Sequence, residues 1–119
     1  MNTPTTDLPL FRYADVLLMK AEAYWRMGDD VNALLALNTL RANRNPTAAP
    51  VTAIGPTTLL DERGFELYQE MIRRTDQIRF GTFTGAWTNK AASDPARNIF
   101  PIPQTAVDSN KNLQQNDGY

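Results

Sequence analysis

The first third of the chain holds two stretches in which apolar residues recur mostly at intervals of three or four positions. The first stretch contains Leu10, Ala14, Leu17, Ala21, Tyr24 and Trp25, and the second contains Val31, Leu34, Leu37 and Leu40. This spacing predicts two amphipathic helices, each with one buried face. Gly28 predicts the end of the first helix, and Asp29 or Asp30 predicts a cap for the second. Residues 9–44 are therefore expected to form a helical hairpin.

A finer pattern within the hairpin fits a tetratricopeptide repeat, in which small residues let two helices approach closely. The matching positions are Ala21, Tyr24, Gly28, Ala33 and Leu37. One repeat is a weak match, and an ordinary helical hairpin fits the same residues. Asp7 and Pro9 fit the cap and the first turn of the first helix.

A proline-rich loop separates the hairpin from a third segment with a broad apolar face. The apolar positions of this segment are Leu60, Phe65, Leu67, Tyr68, Met71 and Ile72. With Thr58 as a cap and Gly81 as a terminator, the pattern predicts a long helix over residues 58–80. Residues 81–119 are expected to form a loop and a C-terminal strap. The predicted fold is all-α: a tetratricopeptide-like hairpin, a long third helix, long loops and an extended strap, in a single domain over residues 1–119.

Charged residues on the third segment allow two interpretations. Glu66 and Glu70 could be the paired carboxylates of a glycosidase, but such pairs face each other across a cleft, whereas these two lie one turn apart on one predicted helix. Arg63 and Arg73 nearby would lower the pKa values of both carboxyls, which is the wrong direction for a general acid. The pattern favours a ladder of ion pairs.

Composition excludes several kinds of chemistry. The chain has 12 basic and 13 acidic residues, a net charge of −1, no Cys and no His. Without a basic stripe, nucleic acid is not an expected partner. Without Cys or His, a thiol nucleophile, a serine–histidine pair and a Cys/His zinc site are excluded. We therefore expect no catalytic residue, no metal and no cofactor. The apolar runs are too short to span a membrane, so a soluble chain is expected.

Trp87 is the one ligand-binding candidate that residue chemistry suggests. It lies in a polar loop, and an indole ring presents a flat apolar surface on which a sugar ring can stack. A loop tryptophan is at least as often a lid that packs back on its own core. Both interpretations remain open on the residue alone.

The chain closes with FPIPQTAVDSNKNLQQNDGY, residues 100–119, which we call the closing strap. Pro101 and Pro103 predict an extended backbone that places Phe100 and Ile102 on the same side. A single helical turn is expected directly after Pro103. The Asn and Gln side chains that follow can satisfy backbone groups, so the strap is expected to dock as a structural seal.

Four stretches, in the same order, resemble the sequence signature of the SusD/RagB family. They are FRYADVLLMKAEAYWRMGD (11–29), LNTLRANRN (37–45), DERGFELYQEMIRRTDQIRFG (61–81) and the closing strap. The strap, with Phe-Pro-Ile-Pro followed by Gln-Asn-x-Gly-Tyr, is the most specific of the four. The chain departs from the family pattern at Met71–Ile72, where the family has Gly-His, and at Arg74–Thr75, where it has an aromatic pair. Asn43 stands where the family has an Arg, and Arg44 follows it.

The resemblance implies a helical superhelix with tetratricopeptide-like hairpins, of which this chain would be the C-terminal part. It implies a non-catalytic, surface-exposed lipoprotein of a Gram-negative outer membrane. Such a protein captures oligosaccharides, polysaccharides or other nutrients for a TonB-dependent (SusC-like) transporter. Membrane association would come only from a lipid anchor in an N-terminal region outside this chain. The alternative is a tetratricopeptide-type protein–protein interaction module that binds no glycan directly.

The resemblance also marks a set of residues as a structural signature rather than as ligand contacts. They are Arg41, Glu62, Arg63, Glu66, Glu70, Arg73, Asp76, Arg79, Phe100, Ile102 and Tyr119. We expect several of the charged members to be less exposed than their charge suggests. They are expected to pair with one another or with backbone groups of the closing strap, because a buried charge without a partner is costly.

Overall fold

The computed structural model describes residues 10–119 as helices joined by loops. The helices are α1 (Tyr13–Arg26), α2 (Asp30–Arg44), α3 (Pro56–Glu66), α4 (Arg73–Arg79) and α5 (Gln104–Ser109), with a 3₁₀ helix over Pro95–Asn98. No strand occurs within this described part of the chain, which confirms the all-α class. Nor does any helix in it have the length and apolarity needed to cross a bilayer. The chain divides into two compact units, one ending at Arg73 and the other running from Arg74 to Tyr119.

Helices α1 and α2 form the predicted hairpin. Gly28 makes the turn with a φ of +80°, a conformation that glycine adopts without a steric penalty. Asp29 then caps α2, because its carboxylate accepts a hydrogen bond from the backbone N–H of Asn32 at 3.1 Å. The predicted cap and first turn at Asp7 and Pro9 lie outside the described residues.

The core of the first unit is made of leucine and alanine side chains from three helices and from Leu67, which directly follows α3. Its buried apolar members are Ala14, Leu17, Leu18, Ala21, Ala33, Ala36, Leu37, Leu40, Leu59, Leu60 and Leu67. The four alanines lie on α1 and α2, where small side chains let the two backbones approach. Two residues that were predicted to belong to the buried faces are exposed. Leu10 precedes α1 and is 81% exposed, and Val31 in the first turn of α2 is 78% exposed.

The long helix predicted over residues 58–80 is interrupted in the structure, which forms α3 and α4 instead. Gln69 and Met71 have φ values of +64° and +62°, so the right-handed helix cannot continue through them. Helix α3 also begins earlier than predicted, at Pro56 after the N-cap Gly55, so Thr58 is not its cap. Proline at the start of a helix loses no hydrogen bond, which explains the earlier beginning.

The interruption changes which side chains are buried. Phe65, Tyr68 and Met71 were predicted to form the apolar face, but all three are exposed, Met71 by 97%. The buried face of α3 instead contains Leu59, Leu60 and the charged side chain of Arg63.

In the second unit, side chains from the end of the closing strap hold the backbone at its beginning. Gln115 accepts a hydrogen bond from Ile102 N–H at 2.8 Å and donates one to the Ile102 carbonyl at 2.8 Å. Asn116 donates to the Phe100 carbonyl, and the Tyr119 hydroxyl donates to the Ile99 carbonyl, both at 2.8 Å. Helix α5 supplies the helical turn predicted after Pro103. The amide side chains therefore satisfy backbone groups, as the strap's composition predicted.

Candidate ligand-binding site

Trp87 lies at the start of a tight turn in the second unit. Its backbone N–H donates to the Lys90 carbonyl at 3.1 Å, and the Lys90 N–H donates to the Trp87 carbonyl at 2.9 Å. Asn89 within the turn has a φ of +66°, a left-handed conformation that asparagine tolerates better than most residues. The paired backbone bonds fix the position from which the indole ring projects.

Two side chains hold the indole ring of Trp87. The ammonium of Lys90 lies 4.2 Å from the ring centre, a cation–π contact. Lys90 is itself anchored, because it donates to the Gly85 carbonyl at 2.9 Å and the Ala91 carbonyl at 3.1 Å. The Phe83 ring lies 6.4 Å away at a tilt of 51°. The Trp87 side chain is nevertheless 42% exposed, so part of the ring is accessible to a ligand.

A cavity of about 530 Å³ in the same unit, which we call the aromatic cavity, shares Phe83 with the surroundings of Trp87. Arg74 is sandwiched in it, with its guanidinium 4.8 Å from the Phe83 ring centre and 4.0 Å from that of Phe100. Arg74 also donates to the carbonyls of Arg97 and Asn98 at 3.0 and 3.2 Å. These contacts tie α4 to the beginning of the closing strap.

The signature residues of the first unit form ion pairs. Arg41 pairs with Glu62, and Arg63 pairs with Asp15 at 2.9 Å. Glu66 accepts from Arg12 at 2.8 Å and from Arg44 at 2.6 Å. Glu70 pairs with Arg12 at 2.6 Å. Among these pairs, Arg41–Glu62 joins two members of the predicted signature set. Arg12, Asp15 and Arg44 were not among the residues that the sequence singled out.

The remaining charged signature residues also have partners. Arg73 donates to the Leu60 carbonyl, and its guanidinium lies against Gly64, where an added Cβ would be 2.7 Å from it. Asp76 is buried and pairs with Arg79 at 2.9 Å. The apolar members Phe100, Ile102 and Tyr119 belong to the closing strap, and their backbone or hydroxyl groups take part in its hydrogen bonds. Within residues 10–119 no ladder forms along α3, because its charged side chains pair with Arg12 just before α1, with Asp15 on α1 and with arginines of α2.

The electrostatics around Glu66 oppose acid catalysis. Hydrogen bonds from Arg44 and then Arg12 hold the pKa of the Glu66 carboxyl below its ordinary value, although partial burial opposes them. Hydrogen bonds that Arg12 donates to Glu70 and then to Glu66 raise the pKa of Arg12. A carboxylate held ionised by two guanidiniums cannot donate a proton near neutral pH. The cluster is suited to joining three segments of the chain, and it leaves no free acid for chemistry.

The lowered pKa of Glu66 predicts an acid-sensitive contribution to stability. Because the folded-state value lies below the unfolded value of about 4.5, the contribution is present above that pH and is lost as pH falls through the folded value. Glu66→Gln is expected to lower the free energy of unfolding by about 1–2 kcal/mol at pH 7 and by less at pH 3. Urea unfolding followed by circular dichroism at both pH values measures this. Asp61→Asn, at an exposed position on α3, is the control. A penalty for Glu66→Gln that is equal at both pH values would contradict the prediction.

The first unit also contains a cavity of about 400 Å³ beside the ion pairs. Its charged wall is made of Arg41, Arg44, Glu62 and Glu66, which are already paired with one another or with Arg12. Within residues 10–119, no three acidic side chains converge as they would around a metal ion. The accessible indole ring of Trp87, with Phe83 beside it, is therefore the stronger ligand-binding candidate.

Comparison with known proteins identifies the family. The SusD family profile (SusD_RagB) matches residues 2–95. The starch-binding protein SusD of Bacteroides thetaiotaomicron is 38% identical over 125 aligned residues, which cover 98% of this chain and 22% of that protein. SusD-like protein P38 of Formosa agariphila is 32% identical, over 96% of this chain and 25% of its own length. The chain thus spans about a quarter of the length of these relatives. It belongs to the SusD family.

Proposed function

We propose that this chain is part of a glycan-binding protein and that Trp87 contributes to the glycan contact. Family membership supports a binding role, because a relative 38% identical to the chain is named a starch-binding protein. The observation that carries the proposal is the exposed indole ring of Trp87, held beside Phe83 by an anchored Lys90. A ring fixed before binding loses little conformational entropy when a sugar stacks on it.

The proposed binding is non-catalytic. Glu66 and Glu70, the carboxylates that a glycosidase would need, are bound to arginines in the first unit. The aromatic cavity contains no acidic side chain in its wall. The contacts available at Trp87 are stacking and hydrogen bonding, which hold a sugar without breaking a glycosidic bond.

We further propose that the protein to which this chain belongs is a surface-exposed lipoprotein of the outer membrane. In that setting it would deliver oligosaccharides or polysaccharides to a TonB-dependent, SusC-like transporter. Membership of the SusD family supports this setting. Co-purification of the whole protein with such a transporter from detergent-solubilised outer membranes tests it, and recovery of the protein alone would count against it.

Replacement of Trp87 by alanine is expected to weaken glycan binding at least about tenfold, which corresponds to about 1.4 kcal/mol. Affinity gel electrophoresis with amylopectin and with other neutral polysaccharides measures retention of the chain. Tyr68→Ala is the control, because it removes an aromatic ring from the first unit that is even more accessible than Trp87. Equal retention of both variants would remove Trp87 from the site.

Tryptophan fluorescence gives an independent reading of the same contact. The chain has two tryptophans, Trp25 and Trp87. Trp25→Phe leaves Trp87 as the single fluorescent reporter, so a shift of its emission on glycan addition reports contact at this ring. An unchanged spectrum at saturating glycan would contradict stacking at Trp87.

The second candidate function is a tetratricopeptide-type interaction module. Exposed apolar side chains on the hairpin favour it, among them Tyr13, Val31 and Leu35. Val31 and Leu35 lie one turn apart on α2, and exposed apolar patches mark protein interaction sites. Absence of glycan retention, together with a protein complex that is lost on Val31→Ser and Leu35→Ser substitution, would favour this function over the first.

A further inference from the structure

The aromatic cavity of the second unit is basic as well as apolar. Arg74 and Arg97 both line it, together with Phe100, Pro101 and Tyr119, and no acidic side chain does. In the first unit the guanidiniums of Arg12, Arg41 and Arg44 all contact carboxylates. Those three charges are therefore neutralised, whereas no side chain that lines the aromatic cavity neutralises Arg74 or Arg97.

Arg97 is the group with free hydrogen-bonding capacity. Its guanidinium lies 5.0 Å from the Tyr119 ring centre, and the Tyr119 hydroxyl is fixed by its bond to the Ile99 carbonyl at 2.8 Å. Among residues 10–119, no acceptor is bonded to the Arg97 side chain and no carboxylate lies within ion-pair distance of it. Stacking on Tyr119 orients the guanidinium while leaving its N–H donors unused.

Arg74 adds positive charge to the cavity but does not offer a second guanidinium with free N–H donors. Two of its bonds go to the carbonyls of Arg97 and Asn98, and its faces are covered by Phe83 and Phe100. Carbonyl acceptors and aromatic rings do not cancel a positive charge. The Arg74 charge therefore favours an anion near Arg97. The rings of Phe83 and Phe100 provide apolar walls for the body of the ligand.

Resting on the proposed glycan binding, we propose that the aromatic cavity binds the anionic substituent of an acidic glycan on Arg97. The substituent is a uronic-acid carboxylate or a sulfate ester, since both present two oxygens to a planar guanidinium. Apolar walls of Phe100 and Pro101 suit the C–H face of the same pyranose ring. Phe83 adjoins both Trp87 and the cavity, so one glycan chain can contact both sites.

Four polysaccharides test the assignment on the chain itself: polygalacturonate, its carboxyl-reduced neutral form, κ-carrageenan and amylopectin. Arg97→Gln is expected to weaken binding of at least one anionic polysaccharide about tenfold and to leave both neutral ones unchanged. Lys111→Gln is the matched control, because it removes the same charge from an exposed position of the same unit outside the cavity. Arg97→Lys keeps the positive charge but loses the paired N–H donors of the guanidinium, so it is expected to restore only part of the affinity.

The outcomes separate the two proposals. A loss confined to polygalacturonate identifies the carboxylate, and a loss confined to κ-carrageenan identifies the sulfate. Equal losses for Arg97→Gln and Lys111→Gln, or equal binding of polygalacturonate and its reduced form, would overturn the anion site. Retention of neutral glycans that depends on Trp87 would in that case leave the proposed function intact. If none of the four polysaccharides is retained, both proposals fail.

Discussion

Replacing Arg63 by methionine is expected to lower the free energy of unfolding by about 3–5 kcal/mol. The side chains of Arg63 and Asp15 are only 4% and 8% exposed, and their charged atoms lie 2.9 Å apart. Without the guanidinium, the Asp15 carboxylate would remain inside the core without its counter-charge. Such a loss is a large part of the total stability of a small domain. Guanidinium chloride unfolding of the chain measures it.

Two comparisons make the Arg63 result interpretable. Arg44→Met removes a guanidinium that is 56% exposed and leaves Glu66 paired with Arg12, so its cost should stay below about 1 kcal/mol. The double variant Asp15→Asn with Arg63→Met removes both charges and should recover part of the lost stability. If Arg63→Met itself does not fold, Asp15→Asn still tests the pair, with a smaller expected loss. Equal costs for Arg63→Met and Arg44→Met would show that burial adds nothing to the Arg63–Asp15 pair.

Truncation of Leu37 to alanine is expected to cost about 2–5 kcal/mol, because it opens a cavity at the centre of the hairpin. Leu37 is fully buried, on the face of α2 that also buries Ala33 and Leu40. Neighbouring alanines have no side chain that could swing in to fill the space. Thermal and chemical unfolding of the variant give the loss directly.

Leu35→Ala is the matched control, since it makes the same chemical change two residues away on the exposed side of α2, where the leucine is 64% exposed. Its cost should not exceed a few tenths of a kcal/mol, because little apolar surface returns to water. A Leu35→Ala penalty as large as that of Leu37→Ala would mean that the outer face of the hairpin is covered in solution.

The hairpin could be predicted because its signals are local. The turn depends on Gly28 and the cap on Asp29, and both residue types are typical of the conformations they adopt. The spacing of Ala14, Leu17 and Ala21 is then sufficient to place the buried face of α1. The predicted burial was wrong at Leu10 and Val31, which lie at the ends of the two apolar faces. The helical period does not indicate how far the neighbouring helix extends to cover them.

The interruption between α3 and α4 could not be predicted from residue types. Gln69 and Met71 adopt left-handed conformations, although neither residue favours them. Gly64, the residue that would suggest a break, lies inside α3 and provides space for the Arg73 guanidinium. Tertiary contacts of Arg73 with Gly64 and the Leu60 carbonyl accompany the interruption, which no local propensity indicates.

The charged clusters and the aromatic cavity show a similar limit. Spacing placed Glu66 and Glu70 on one helix and suggested partners along it, but their partner Arg12 is 54 and 58 positions away. Periodicity cannot detect a pair so far apart in sequence. Trp87 could be found because of its chemistry, whereas the free donors of Arg97 become visible only when its surroundings are known.

The hydrogen bonds of Gln115 have a consequence for amide exchange in the closing strap. An amide in the middle of a helix exchanges its proton when several bonds open together. The Ile102 amide depends on one side-chain oxygen, that of Gln115. Rotation of that single side chain uncovers it, so its exchange lifetime is governed by a side-chain rotamer rather than by cooperative unfolding. The Ile102 amide of the strap is therefore expected to exchange its proton faster than the amides of the hairpin core.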